Sequence, residues 1–132
     1  AGESMKTLEV VCAVIHKDHK IFIAQRGYGE CKDGWEFPGG KQESDETLEE
    51  ALHREIEEEL HVRIHIERYL GRFEMPYPSF YMHMHAFLCS LQSEYVLLEH
   101  EDARWLSVQD VCREELLPID QVIFKSIEHL DL

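Results

Sequence analysis

The chain has 132 residues, 44% hydrophobic and 30% charged, and its 27 acidic residues against 13 Lys plus Arg give a formal net charge of −14. That length suits one domain with its own core, and the acidity argues against a long nucleic acid partner, whose binding draws on a basic surface. No apolar run approaches the ~18 residues of a membrane span. Four separated cysteines (Cys12, Cys31, Cys89, Cys112) without a CxxC pair read as reduced cytoplasmic thiols, not as a disulfide or zinc framework.

At the start, AGESMKTLEV lacks the apolar segment of a signal peptide, and Met5 reads as the native start behind a remnant, Ala1–Ser4. One domain over 5–132 is expected. The β-branched run TLEVVCAVI (7–15) predicts a buried strand, HKDHK (16–20) a turn, and IFIAQ (21–25) a returning strand. RGYGECKDG (26–34) is a glycine-marked loop, and WEFPGG (35–40) a short strand ended by proline and a glycine pair. A helix follows from Leu48 to Leu60, with Thr47 and Glu50 as a capping box and Leu48, Leu52, Ile56 and Leu60 as its core stripe.

Two longer strands are expected over 62–74 and 79–91, around MPYPS. An acidic loop (98–102), a short strand (103–107) and a helical turn at VQDVC come next, then a closing helix, QVIFKSIEHL (121–130), with Asp120 as N-cap. The order β, β, helix, β, β, helix predicts an α/β fold with a mixed sheet between helices.

The most informative stretch is HREIEEELHV (53–62), with four glutamates in five residues. At 100° per residue, Glu55, Glu58 and Glu59 share an arc of about 100° that holds no Lys or Arg. Like charges at this spacing repel, so the arc asks for a cation from outside, and Mg²⁺, which takes oxygen ligands and completes its shell with phosphates, fits. A merely acidic helix face is the alternative reading of the arc alone.

The wider pattern runs Gly40, five residues, Glu46, seven residues, then Arg54-Glu55-Ile56-x-Glu58-Glu59-x-x-Val62. It resembles the box of the Nudix hydrolases, G-x5-E-x7-R-E-U-x-E-E-x-G-U with U aliphatic, and departs from it only at the last glycine, here His61. WEFPGGK (35–41), the MKTLEVV start, IAQR (23–26) and LPID (117–120) are similar to the MutT-like branch. The H-x-HA and acidic-loop segments are similar to its CTP pyrophosphohydrolase members.

The resemblance implies an α/β/α sandwich with a mixed sheet and Mg²⁺-dependent hydrolysis of a nucleoside triphosphate to monophosphate and pyrophosphate, with Mn²⁺ as a substitute ion. By position it implies metal ligands at the Gly39 carbonyl, Glu55, Glu58, Glu59 and Glu99, with Arg54 orienting the glutamates and Glu46 structural. Glu55 and Glu99 both remain open as general base. Arg26 and Lys41 are the cations matched to phosphate or base contact. No membrane partner is expected, and a monomer or weak dimer is.

For the base, Asp120 matches the position that reads the base edge. An ionised Asp only accepts hydrogen bonds, which suits the cytosine amine, so CTP, dCTP or a modified pyrimidine nucleotide is expected, while a protonated Asp would serve an oxopurine. Leu8, Val10, Phe37 and Phe80 are candidates for an apolar sandwich around the base, or for plain core. His83 and His85 fall on one strand face, as packing residues rather than metal ligands. Alternative readings are an 8-oxo-dGTP diphosphatase, a non-catalytic nucleotide sensor, and hydrolysis of ADP-ribose or dinucleoside polyphosphates. For His61 the family glycine implies a left-handed residue at the helix end; the alternative is a different helix end with no left-handed residue.

Overall fold

In the computed structural model, which describes residues 5–29 and 31–132, the first apolar run forms β1 (Lys6–Lys17) and returns as β2 (Lys20–Arg26). The turn is tighter than HKDHK suggested: only Asp18 and His19 lie outside the strands, both at positive φ, 52° and 63°. Two consecutive left-handed residues match the twist of a two-residue hairpin. The reading of Ala1–Ser4 falls outside the described residues.

WEFPGGK does not end its strand at the glycines. It makes β3 (Trp35–Glu36), which pairs with β2, and β4 (Gly39–Lys41), which pairs with β1 through Val11↔Gly40 and Cys12↔Gly39. A side chain at 39 would stand 1.9 Å from the Val11 carbonyl, so only glycine admits this pairing. The helix α1 (Leu48–Leu60) has the expected bounds and capping box, with the Glu50 N–H donating to Thr47 Oγ1 and the Thr47 N–H to Glu50 Oε1.

β5 (Ile64–Pro76) and β6 (Phe80–Leu91) are the long antiparallel pair. β7 (His100–Leu106) begins inside the stretch read as an acidic loop, because pairing with β2 at Arg26↔His100 and Gln25↔Asp102 outweighs the low strand propensity of its acids. VQDVC gives the expected turn, at Val108–Asp110. The last helix, α2 (Pro118–Ile127), starts earlier than predicted: Leu117 is its N-cap, and Pro118, with φ already set for a helix, its first residue. Asp120 therefore lies in the first turn and is not the cap.

The strands form one mixed sheet of seven, ordered β3-β2-β1-β6-β5, with β4 also on β1 and β7 also on β2. The β1–β6 pairing is parallel. Period-two alternation sends Val11, Ala13, Ile15 and Phe87 under Ala51, Leu52, Ile56 and Leu60 of α1. Val10, Cys12, Val14 and Met84 pack under Ile119, Ile123, Phe124 and Ile127 of α2. Each wholly buried Leu or Ile of α1 contributes roughly 1.5–3 kcal/mol. Helices cover both faces, which is the expected α/β/α sandwich. Among the described residues no helix is long and apolar enough to cross a membrane.

Candidate functional site

The last turn of α1 carries no basic residue, so its glutamates repel one another and also sit at the negative end of the helix dipole. Arg54 answers part of this charge. Its Nε donates to Glu46 Oε2 at 2.6 Å and its Nη2 to Glu46 Oε1 at 2.9 Å, and its Nη1 lies 2.9 Å from Glu55 Oε1 and 3.4 Å from Glu58. Nη2 also reaches the Lys41 carbonyl at 2.9 Å, which fastens the helix to β4. Glu46 is thus a structural partner of Arg54.

Gly40 faces the same place from β4: a Cβ there would lie 2.4 Å from the Glu55 carboxyl. The glycine pair and α1 thereby bring Gly39, Glu55 and Glu59 to one cavity of about 290 Å³, shared with Arg26, Gly27, Tyr28, Glu36, Glu99 and His100. Glu99 arrives on residues 96–98, whose Val96 and Leu98 N–H groups donate to the Leu60 and Glu59 carbonyls at 2.8 and 2.9 Å.

The cavity is electrostatically loaded. Burial, then the charges of Glu36, Glu55 and Glu99, push the Glu59 carboxyl up to about 9. Burial raises Glu55 as well, against the pull of Arg54. Glu59 Oε2 is buried and has no hydrogen-bond partner among the described residues. An orphaned carboxyl oxygen among other acidic groups fits a divalent cation, which would take the place of the proton, so the residues present suit such an ion.

Of the predicted site residues, the structure brings Arg26, Gly39, Glu55, Glu59 and Glu99 together in this cavity. Glu58 does not line it; its carboxylate lies 3.4 Å from Arg54 and is half exposed. Lys41 is exposed on β4 and does not line it. The base candidates lie on the α2 side. There the Phe37 N–H donates to Asp120 Oδ1 at 3.0 Å, both residues are 2% exposed, and Val10 and Leu8 pack in the same layer. Phe80 stacks on Tyr77 at the β5–β6 turn, with ring centroids 4.7 Å apart.

Burial, then the charge of Glu36, raises the Asp120 carboxyl well above its ordinary range, which favours the protonated form that can donate as well as accept. His83 and His85 share one face and both meet Glu9, at 2.9 and 2.8 Å. Sequence reasoning missed Glu36, Tyr28 and His100. Glu36 stood inside the quoted WEFPGG and His100 beside Glu99, but nothing local tied them together.

A larger recess of about 770 Å³, lined by His16, Lys17, Lys20, Tyr95 and Trp105 among others, lies at the other end of β2 and holds none of the box residues. Size alone does not decide the site. Converging carboxylates do.

Comparison with known proteins agrees with this geometry. The NUDIX domain model matches residues 5–130. A CTP pyrophosphohydrolase of Escherichia coli (strain K12) is 36% identical over 122 residues, 88% of this chain and 87% of that protein. An 8-oxo-dGTP diphosphatase of Proteus vulgaris is 50% identical over 52 residues, 38% of this chain and 46% of that protein. The crystal structure of a MutT NUDIX hydrolase from Burkholderia pseudomallei superposes with a TM-score of 0.85 over 92% of this chain and 98% of that one, at 22% identity, and so shares the fold. With its box glutamates gathered on one helix and a family match across nearly its whole length, the chain belongs to the Nudix family of hydrolases.

Proposed function

We propose that residues 5–132 act as one Mg²⁺-dependent nucleoside triphosphate pyrophosphohydrolase, converting NTP and water to NMP and pyrophosphate, with CTP, dCTP or a modified pyrimidine nucleotide as substrate. The observation that carries the reading is the meeting of Gly39, Glu55, Glu59 and Glu99 with Arg26 in one cavity, around an orphaned carboxylate oxygen. Gly39 through its carbonyl and Glu55, Glu58, Glu59 and Glu99 through their carboxylates would hold the metal. When bound, a divalent ion neutralises phosphate charge and acidifies water.

The chain's own groups do the rest. Arg54 fixes Glu55 and Glu58, and Arg26 at the cavity wall faces the phosphates. Glu99 takes the proton of the attacking water as the α–β anhydride P–O bond breaks. It is exposed on its strap, whereas Glu55 is held by Arg54 and Glu59 is buried. Asp120 accepts a hydrogen bond from the exocyclic amine of cytosine. The pyrimidine preference is supported by the length over which the E. coli relative matches.

Burial favours protonation of the Asp120 carboxyl, and in that form it would donate to the carbonyl of an oxidised guanine. That makes 8-oxo-dGTP the second reading, supported also by the Proteus relative. Four free thiols accord with a cytoplasmic setting. The test is a survey of kcat/KM over CTP, dCTP, 8-oxo-dGTP, ADP-ribose and the canonical triphosphates, repeated with Asp120→Asn. Cytidine nucleotides lead on the first reading, with the order changed by Asp120→Asn. A clear lead for 8-oxo-dGTP replaces the first reading by the second, and a lead for ADP-ribose removes both.

A further inference from the structure

Glu36 and His100 occupy no box position, yet they stand against Glu59, which does. β3 and β7 flank β2, and the pairings Ala24↔Glu36 and Arg26↔His100 bring the two side chains to the same end of the sheet. There His100 Nε2 lies 2.9 Å from Glu36 Oε2, with side chains only 3% and 12% exposed. α1 supplies the third member. Ligand atoms of Glu36, Glu59 and His100 all lie within 4.8 Å of one another, a spacing that one cation can bridge.

The hydrogen bonding leaves this group half satisfied. Glu59 Oε2 and His100 Nδ1 are both buried without a partner among the described residues. Arg26 Nε, 3.4 Å from Glu36 Oε1, covers the other oxygen of Glu36 and leaves Oε2 turned to His100. Two carboxylates and an imidazole enclosed this closely are a poor polar cluster and a good ligand set. The nitrogen decides the kind of ion. Mg²⁺ keeps to oxygen, while imidazole beside carboxylate suits first-row transition ions such as Mn²⁺ and Co²⁺.

We propose that Glu36, Glu59 and His100 form a buried transition-metal site with one nitrogen ligand, adjoining the oxygen-lined position of Glu55, Glu58 and Glu99. The inference rests on reading the box glutamates as cation ligands and adds a second kind of ligand to them. Glu59 stands between the two positions, so an ion on His100 fixes the glutamate that both share.

The test is electron spin echo spectroscopy of the full chain with one equivalent of Mn²⁺. The expected result is ¹⁴N modulation in the wild type, lost in His100→Gln, with Mn²⁺ bound about 10- to 100-fold more weakly. His83→Gln/His85→Gln, on the Glu9 face, keeps the modulation. Absence of modulation in the wild type, or its persistence in His100→Gln, overturns the site.

A second readout does not depend on the folding of His100→Gln. In histidine-selective NMR of the wild type, substoichiometric Mn²⁺ broadens the His100 ring first; earlier broadening of His83 or His85 refutes the proposal. Mg²⁺-supported nucleotide hydrolysis that persists without any nitrogen signal removes this site alone. Loss of hydrolysis with the nitrogen signal intact removes the proposed activity alone.

Discussion

Leu98 donates its backbone N–H to the carbonyl of Glu59 at 2.9 Å. The last carbonyls of a helix lack partners within it, and here one of them holds the segment that delivers Glu99 beside Glu59. Leu98→Pro deletes this donor. The expected loss is about 0.5–1.5 kcal/mol of stability and, because Glu99 shifts, about 10- to 100-fold in kcat/KM. Leu98→Ala, at a side chain 55% exposed, stays near wild type. Steady-state kinetics on the two variants separates backbone from side chain, and equal rates contradict the strap.

The two glycines of the pair fail differently when changed. At Gly40 a Cβ meets the mobile end of Glu55, and at Gly39 it meets the backbone of β1. Gly40→Ala is expected to fold with near wild-type stability but to bind Mg²⁺ or Mn²⁺ more weakly by calorimetry. Gly39→Ala lowers the melting temperature because the β4 pairing breaks. The reverse pattern would show that the metal position does not depend on the close approach of β4.

His61 ends α1 at φ 50° and ψ 45°, with its N–H donating to the Glu57 carbonyl. The left-handed conformation implied by the family glycine is therefore kept by a residue that carries a Cβ. Left-handed geometry costs such a residue roughly 1–2 kcal/mol, while glycine adds unfolded-state entropy of about 0.5–1 kcal/mol. His61→Gly is therefore expected to range from neutral to about 1.5 kcal/mol more stable in urea unfolding, with unchanged kinetics. His61→Val, branched at Cβ, is expected to be less stable. A change of Mg²⁺ affinity in His61→Gly would assign the histidine a part in the site.

Glu9 is held between His83 and His85; Tyr69 bonds the other ring nitrogen of His85, and Glu74, paired with Arg72 and Tyr81, lies 3.6 Å from His83. Burial acts to raise its carboxyl, but the bonds from His85 and His83 prevail and carry it below the ordinary 4.5. A depressed carboxyl stabilises the fold above its ordinary value, and that contribution fades as pH falls through the depressed one. The melting-temperature gap between wild type and Glu9→Gln is thus expected to be full at neutral pH and to close in acid. A gap that widens in acid contradicts this.

The helix α1 and its box were legible because their information is local: a capping box, a stripe every four residues and a fixed spacing of charges. Asp120 was misread as an N-cap because its carboxyl answers to the Phe37 N–H, 83 residues away, a partner that no local pattern names. Burial in that place also raises its carboxyl, an effect that no local pattern reveals. The Glu36–His100 contact spans 64 residues and exists only because β3 and β7 both pair with β2. Glycine and acid in β4 and β7 read as loop by propensity, and sheet pairing overrode them.

The central claim is that the crowded glutamates of α1 support cleavage between the α and β phosphates. The most direct measurement is ³¹P NMR of CTP turnover by the wild type in Mg²⁺, and again with Mg²⁺ removed by chelation. The account predicts CMP and pyrophosphate in equal amounts with Mg²⁺, and no turnover without it. CDP with inorganic phosphate, or turnover that continues without a divalent ion, would contradict it.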